Sequence, residues 1–271
     1  MTAMVTSCGA SPPPIRLQPA SGAAPPASSG ALPRYQSVEQ LNQAVTNQLR
    51  ADRGATFSND SEVHTQPVLS LTGSGTLRSD DAGFAMQTHQ QIHTPGSAPT
   101  DLWMVMLPDM SYLRAPPEII KLPPATPWIA VPPGTDSDAG KALGPLVDLV
   151  RQSVDPTRLF SPYGSALSLV QAGPEQLDGT PTMHYLVRLD VALGQLQAPG
   201  TDTRQVLGRL LAGGLTSMDI QLWLDGQNRL NRIELTAPVP SAGTTVLSKV
   251  RYQDWGQPVT ITAPAANQLA R

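Results

Sequence analysis

The side chains able to do chemistry are few and scattered. The chain of 271 residues holds four histidines and one cysteine. His89 and His93 stand four apart, a spacing that on a helix would set both imidazoles over one metal ion. Their Gln and Thr neighbours read as strand instead, where four residues span about 13 Å. That is too far for a shared ion, so no metal site is expected. His184, next to Tyr185, reads as a structural hydrogen-bonding group. Asp80-Asp81 and Asp136/Asp138 are the paired carboxylates that acid–base work would need, but both fall in turn or loop sequences. No G-x-S-x-G elbow occurs. Gly73-Ser74-Gly75 lacks the further glycines and the following helix of a phosphate cradle. Nothing assembles a nucleophile, a base and an oxyanion donor. The sequence therefore predicts a binding protein, not an enzyme, with no cofactor.

The single thiol is the exception. Val5-Thr6-Ser7-Cys8 resembles the bacterial lipobox: an apolar residue, two small ones, then the cysteine that receives a diacylglyceryl thioether. Each buried CH₂ of such an anchor contributes about 0.8 kcal/mol, and two chains hold stably. A secretory leader needs a basic region and 7–15 apolar residues. Only Met1–Met4 precede the box, so that leader would lie upstream of Met1. After Cys8 the stretch from Gly9 to Pro33 carries seven prolines and one charge, Arg16. It has too little apolar surface to offset the entropy of ordering. Residues 1–8 are thus expected to be a signal and lipobox remnant, and 9–33 a disordered tether. The expected location is the outer face of the plasma membrane, lipid-anchored through Cys8.

Composition narrows the field further. Charged residues are 14 % of the chain and the formal net charge is −3, against roughly 25 % charged in ordinary soluble domains. No basic block offers a footprint for nucleic acid. One cysteine excludes an intrachain disulfide. No run of 18 apolar residues occurs, the least a membrane-spanning helix would need. A monomer is expected.

From residue 34 onward the chain reads as folded. Ser37 with Gln40 fits a capping box, and Val38, Leu41, Val45 and Leu49 recur at helical spacing until Gly54. Eleven strands then follow in two runs, at about 55–66, 68–78, 83–93, 102–107, 110–114 and 128–131, then 166–173, 181–191, 217–225, 229–237 and 245–255. Helical spacing returns at 138–153, where Pro145 should start or kink the helix, after Asp155-Pro156, and between 191 and 216. Gly73 and Gly75 should leave space beside the second strand or mark a bulge. Leu102–Leu107 is apolar on both faces, so both should be covered. Strands neighbouring one another in sequence, with interposed helices, give an α+β class.

Three segments carry a family resemblance. Asp178-Gly179 leading to His184-Tyr185, Leu222-Trp223-Leu224-Asp225 with Gly226, Arg229 and Arg232, and Tyr252-Gln253-Asp254-Trp255-Gly256-Gln257-Pro258-Val259-Thr260-Ile261 are similar to the motifs of actinobacterial LppX/LprG-type lipoproteins. That family is similar in shape to the LolA lipoprotein carrier. The chain departs from the pattern at Pro264-Ala265, where two prolines are usual. The resemblance implies that residues 34–271 form a curved antiparallel sheet, a half-barrel, closed on its concave side by helices. It also implies acyl lipid or lipoglycan held in an apolar cavity, and a membrane transporter as a partner.

Periodicity groups the candidates for the cavity that the resemblance implies but leaves the face open. Along residues 102–107, Leu102, Met104 and Met106 share one side and Trp103, Val105 and Leu107 the other, and either set could line it. On the strands the candidates are Leu69 and Leu71, Phe84 and Met86, Met104 and Met106, Val187 and Leu189, and Ile220, Leu222 and Leu224. On the second helix they are Leu146, Val147 and Val150. Trp103, Met104, Met106 and Met110 form a cluster of the adaptable kind, equally consistent with core filling. Segments 138–163 and 191–212 would be mobile flaps, with Pro145, Gly194, Gly213 and Gly214 as hinges. A carrier of long chains should enclose about 1,000 Å³ or more, above the usual small-ligand pocket. A sensor or protein-interaction module of the same fold, without lipid cargo, should be packed solid.

Overall fold

The computed structural model describes residues 31–64, 68–133, 137–160, 163–198, 201–239 and 243–270. Cys8, its lipobox, the tract to Gly30, and Asp136 lie outside these. The chain order is α1 (Val38–Asp52), β1 (Gly54–Val63), β2 (Leu69–Asp80), β3 (Gly83–His93), β4 (Thr100–Met106), β5 (Ser111–Arg114) and β6 (Ile129–Val131). It continues with α2 (Asp138–Val154), β7 (Leu167–Leu177), β8 (Thr180–Asp190), α3 (Val191–Gln197), α4 (Thr201–Ala212), β9 (Ser217–Leu224), β10 (Leu230–Val239) and β11 (Thr244–Gln253).

All eleven strands lie in one antiparallel sheet, ordered β6-β5-β4-β3-β2-β1-β11-β10-β9-β8-β7. Two meanders make it. β1–β6 step outward to one edge, the chain crosses to the opposite edge through α2, and β7–β11 step back to meet β1. The seam is the β1–β11 pair, with Thr56 opposite Gln253 and Val63 opposite Val246. Curvature shows in α1, which touches β1, β2 and β7, although β7 is five places from β1 in the sheet. The fold is an open α+β half-barrel with helices on its concave side.

Local chemistry explains the elements. Ser37 caps α1 by accepting from the Gln40 backbone N–H at 3.3 Å, and Gln40 reaches back to the Gln36 N–H at 3.0 Å. Val38, Leu41, Val45 and Leu49 form its buried stripe, each worth about 1.5–3 kcal/mol when fully removed from water. The helix ends at Arg53, which takes the left-handed turn at φ 65°, while Gly54 already belongs to β1. The expectation that the glycine ends the helix was therefore off by one residue. α2 runs unbroken from Ser137, whose hydroxyl accepts from the Gly140 N–H at 2.9 Å, so Pro145 does not start it. Residues 155–160 are turns, not a further helix, because the Asp155 carboxylate accepts from the Thr157 N–H and hydroxyl at 2.9 and 2.6 Å. Such an Asx-turn competes with helical pairing. The stretch 191–216 breaks into two helices.

β4 is covered on both sides, as its sequence requires. Helices cover the concave side. The convex side carries a strap formed by residues 254–270. Ile261 packs with Ala85 and Val105, and the Ala270 N–H donates to Trp128 O at 2.7 Å. Leu269 bridges Trp128 beside the three-residue edge strand β6. The other edge, β7, is blunted by a register shift between Leu169 and Gln171 and by Pro174, which lacks an N–H to offer.

Candidate functional site

Register decides which side chains share the concave face. Ala55 pairs with Leu77, Leu77 with Met86, and Met86 with Met106. Across the seam, Leu189 pairs with Met218, Val187 with Ile220, and Tyr185 with Leu222. Every strand residue proposed as cavity lining whose side chain is described falls on this face. Met86, Met104, Met106, Val187, Leu189, Ile220, Leu222 and Leu224 are almost fully buried there. Phe84 and Leu71 are half-buried; Leu69 pairs with Val63 in the strand register, and its side chain lies outside the described ones. From α2, Val147 and Val150 are buried and Leu146 is partly so. All of these but Leu69 and Leu71 belong, with the α1 stripe, to one continuous apolar cluster. They meet one another across the interior.

The glycines of β2 do not leave a gap. A Cβ on Gly73 would fall on the Gln90 amide, and one on Gly75 on the Gln87 carbonyl and the Phe57 ring. β2 keeps regular pairing with both neighbours through this stretch. The room is taken by a buried polar set. Asn59 and Gln90 exchange amide hydrogen bonds of 3.0 and 2.9 Å, and Gln90 also donates to Thr88 Oγ1 at 2.7 Å. Reciprocal pairing is what makes such groups tolerable in a core.

Among the described residues, few hydrogen bonds tie the helices to the sheet. Tyr252, on β11, donates to Val154 O at the end of α2 at 3.0 Å, and burial pushes its phenol pKa well up. Tyr185 donates to Pro33 O at 2.6 Å. Arg229 grips Asp52 at the end of α1 with two bonds of 2.9 and 2.8 Å. Burial alone would raise the Asp52 pKa, but these bonds and the arginine charge hold it below the ordinary value. Elsewhere the contact rests on apolar side chains.

Two pockets stand out. The first, of about 240 Å³, opens between α2 and the β4–β6 end of the sheet. It is lined by Met110, Ser111, Val131, Val147, Asp148 and Arg151 among others. Ser111 and Val131 pair with each other on the concave face, so this pocket is a mouth of the interior. The second, of about 580 Å³, lies on the convex face beside the strap and is lined by Gln87, His89, Trp103, Trp128 and Thr260. Neither reaches the 1,000 Å³ expected of a long-chain carrier. Gly194, expected as a hinge, is a close-packing glycine: a Cβ there would lie 3.1 Å from Leu189 Cδ1. Gly214 takes φ 89° just after α4.

The histidines sit on the convex face or at strand ends. His89 stacks on Trp103 at 4.6 Å, and Arg114 lies over the same indole at 4.7 Å. His184 stacks on Trp223 at 4.5 Å, with Arg232 at 5.2 Å. In each case the three residues stand side by side on adjacent strands. His93 bonds Thr72 Oγ1 at 3.1 Å, and His64 bonds Glu62 at 2.8 Å. Among the described residues no three metal-ligating side chains come together. Sequence reasoning missed Arg151 and the mouth it lines. Gly140, Gly144, Val147, Asp148 and Arg151 share one helix face, and that small-residue stripe was the available signal.

No family model and no curated protein matches the sequence. Some solved structures are similar in shape. LprF from Mycobacterium bovis aligns at 16 % identity over 86 % of this chain and 100 % of its own, with TM-score 0.42. MucB in complex with MucA(peri) aligns at 14 % identity over 86 % of this chain and 59 % of its own, with TM-score 0.32. A LolA superfamily protein from Nitrosomonas europaea aligns at 7 % identity over 88 % of this chain and 99 % of its own, with TM-score 0.28. At these values the likeness carries no function.

Proposed function

We propose that this chain binds acyl chains of a lipid against its concave face, and carries or transfers lipid or lipoglycan in the cell envelope. The observation that supports this best is the apolar concave surface itself. It spans both meanders, faces helices bound mainly by side-chain packing, and opens at a mouth between α2 and the sheet. Methionines 86, 104 and 106 lie together there, and such side chains re-pack around variable shapes. Loading then means parting α2 from the sheet, with the lipid replacing side-chain contacts that close the empty form. Each CH₂ moved from water to the interior contributes about 0.8 kcal/mol, which offsets the separation. The work is binding, without covalent chemistry.

Cys8 belongs to the same proposal. Lipidated there and tethered by residues 9–33, the domain would work at the outer face of the plasma membrane, where a membrane transporter could pass lipid to it. No helix among the described residues is long and apolar enough to cross a membrane.

The filled interior favours a second reading, a sensor or protein-interaction module of the same fold without cargo. Native mass spectrometry of the purified chain after exposure to extracted lipids separates the two. Adducts of acyl-lipid mass support the carrier. A bare protein mass after exposure to every lipid class sinks it and leaves the module.

A further inference from the structure

The mouth between α2 and β4–β6 has a chemistry of its own. Arg151 stands on its α2 side, half-buried, with a buried Nε that makes no hydrogen bond. Among the described residues, no ion pair includes it. Burial, with the Arg158 charge, pulls its pKa below the ordinary value, yet a guanidinium stays charged at neutral pH. An unpaired guanidinium fork in a recess fits a phosphate oxygen pair. The same lining carries two exposed carboxylates, Asp109 and Asp148. A plain anion on Arg151 would sit against both negative charges. A zwitterion would satisfy all three groups, its phosphate on the arginine and its ammonium on the carboxylates. No aromatic ring lines the pocket among the described residues, and quaternary ammonium recognition uses aromatic cages. A primary ammonium, with three N–H donors, is the better match.

We propose that this mouth recognises a phosphoethanolamine headgroup, with Arg151 holding the phosphate and Asp148 and Asp109 the ammonium. The placement leads inward. Val147 and Val131 line the mouth and belong to the buried cluster, so a chain attached to a head seated here runs into the apolar interior. The inference deepens the lipid-binding reading and rests on it.

The test uses the full chain in two arms. In the first, glycerophosphoethanolamine, glycerol phosphate and inorganic phosphate are titrated while amide NMR signals of α2 and the β4–β5 turn are followed. Glycerophosphoethanolamine should bind at least several-fold more tightly than either phosphate alone. Arg151→Gln should weaken it roughly tenfold or more, the loss expected for a charge-assisted phosphate bond. Asp148→Asn should weaken it while leaving inorganic phosphate unchanged or better bound. Equal binding of the three probes, no binding, or indifference to Asp148→Asn overturns the proposal. In the second arm, the chain is incubated with vesicles of phosphatidylcholine mixed with phosphatidylethanolamine or phosphatidylglycerol, re-isolated, and its bound lipid measured. Preferred uptake of phosphatidylethanolamine supports the headgroup site. Equal uptake of all three lipids overturns headgroup recognition but leaves the lipid-binding reading standing. Headgroup binding in the first arm without uptake of any lipid in the second supports the site and overturns the carrier.

Discussion

The two meanders carry the same side-chain device on their convex faces, in different surroundings. His89–Trp103–Arg114 crosses β3, β4 and β5. His184–Trp223–Arg232 crosses β8, β9 and β10. In the first set His89 keeps 40 % of its side chain exposed and pairs with Asp101 at 2.7 Å, and Arg114 is exposed. In the second, His184 is 20 % exposed and pairs with Glu175 at 3.0 Å, while Arg232, at 13 %, bonds Asp178 and Glu234. Trp223 is buried and Trp103 only half so. His184 Nε2, Trp223 Nε1 and Arg232 Nε are buried without a hydrogen-bond partner. The same residue types in the same order therefore do different work. The first set borders an open groove, and the second holds its meander together.

Substitution of the two indoles tests this difference most sharply. Trp223→Ala should cost about 3–5 kcal/mol, the range for a buried large aromatic. Trp103→Ala should cost about half as much, because half-buried area is lost instead of a filled site. Urea unfolding of both variants measures it, and equal losses would break the comparison.

Glycines sharpen it next. Gly75→Ala, beside the seam, drives a Cβ into the Gln87 carbonyl and should cost about 1–3 kcal/mol as overpacking. Gly173→Ala, on the edge strand of the second meander, meets nothing within 4 Å. It should fall within about 0.5 kcal/mol of neutral or gain slightly from the stiffer unfolded chain. Thermal unfolding of the pair decides.

The tie between α1 and the β9–β10 turn is pH-dependent. Folding lowers the Asp52 pKa, so its contribution is present above the unfolded carboxylate value near 3.9. It is lost as pH falls through the lower folded value. Asp52→Asn should lose roughly 1–2 kcal/mol at pH 7, with its gap from the parent closing in acid. Asp155, where α2 hands the chain to the second meander, behaves oppositely. Burial raises its pKa despite its bonds to Thr157, so the folded state loses stability as pH rises from about 3.9 through the raised value. Asp155→Asn keeps an acceptor for Thr157 and should be slightly more stable than the parent at pH 8, with no gain at pH 3. Chemical unfolding at the two pH values checks both signs.

Much of this was legible in the sequence, for a local reason. A strand alternates faces every residue, so choosing Leu222 assigned Ile220 and Leu224 to the same side. The stripe of α1 follows equally from its spacing. What escaped notice depends on partners far away in the chain. The His–Trp–Arg rows exist only through cross-strand register. The strap shows only as a short apolar pattern, Val259 and Ile261, without a strand of its own. Arg53, not Gly54, ends α1 in a left-handed turn, and turns stand where a helix was expected after Asp155, whose carboxylate accepts two bonds from Thr157. The space beside Gly73 and Gly75 was anticipated, but that Gln90 and Phe57 would occupy it was not.

The seam has a consequence for how the molecule is made. Thr56 and Gln253, partners there, are 197 residues apart in the chain. β1 therefore waits with a bare edge until β11, the last strand, has been synthesised. Contacts of such long range slow folding and prolong exposure of unpaired edges. Each meander can zip up alone, but their union comes last, so the half-barrel is completed only when the C-terminal strand is free to reach back.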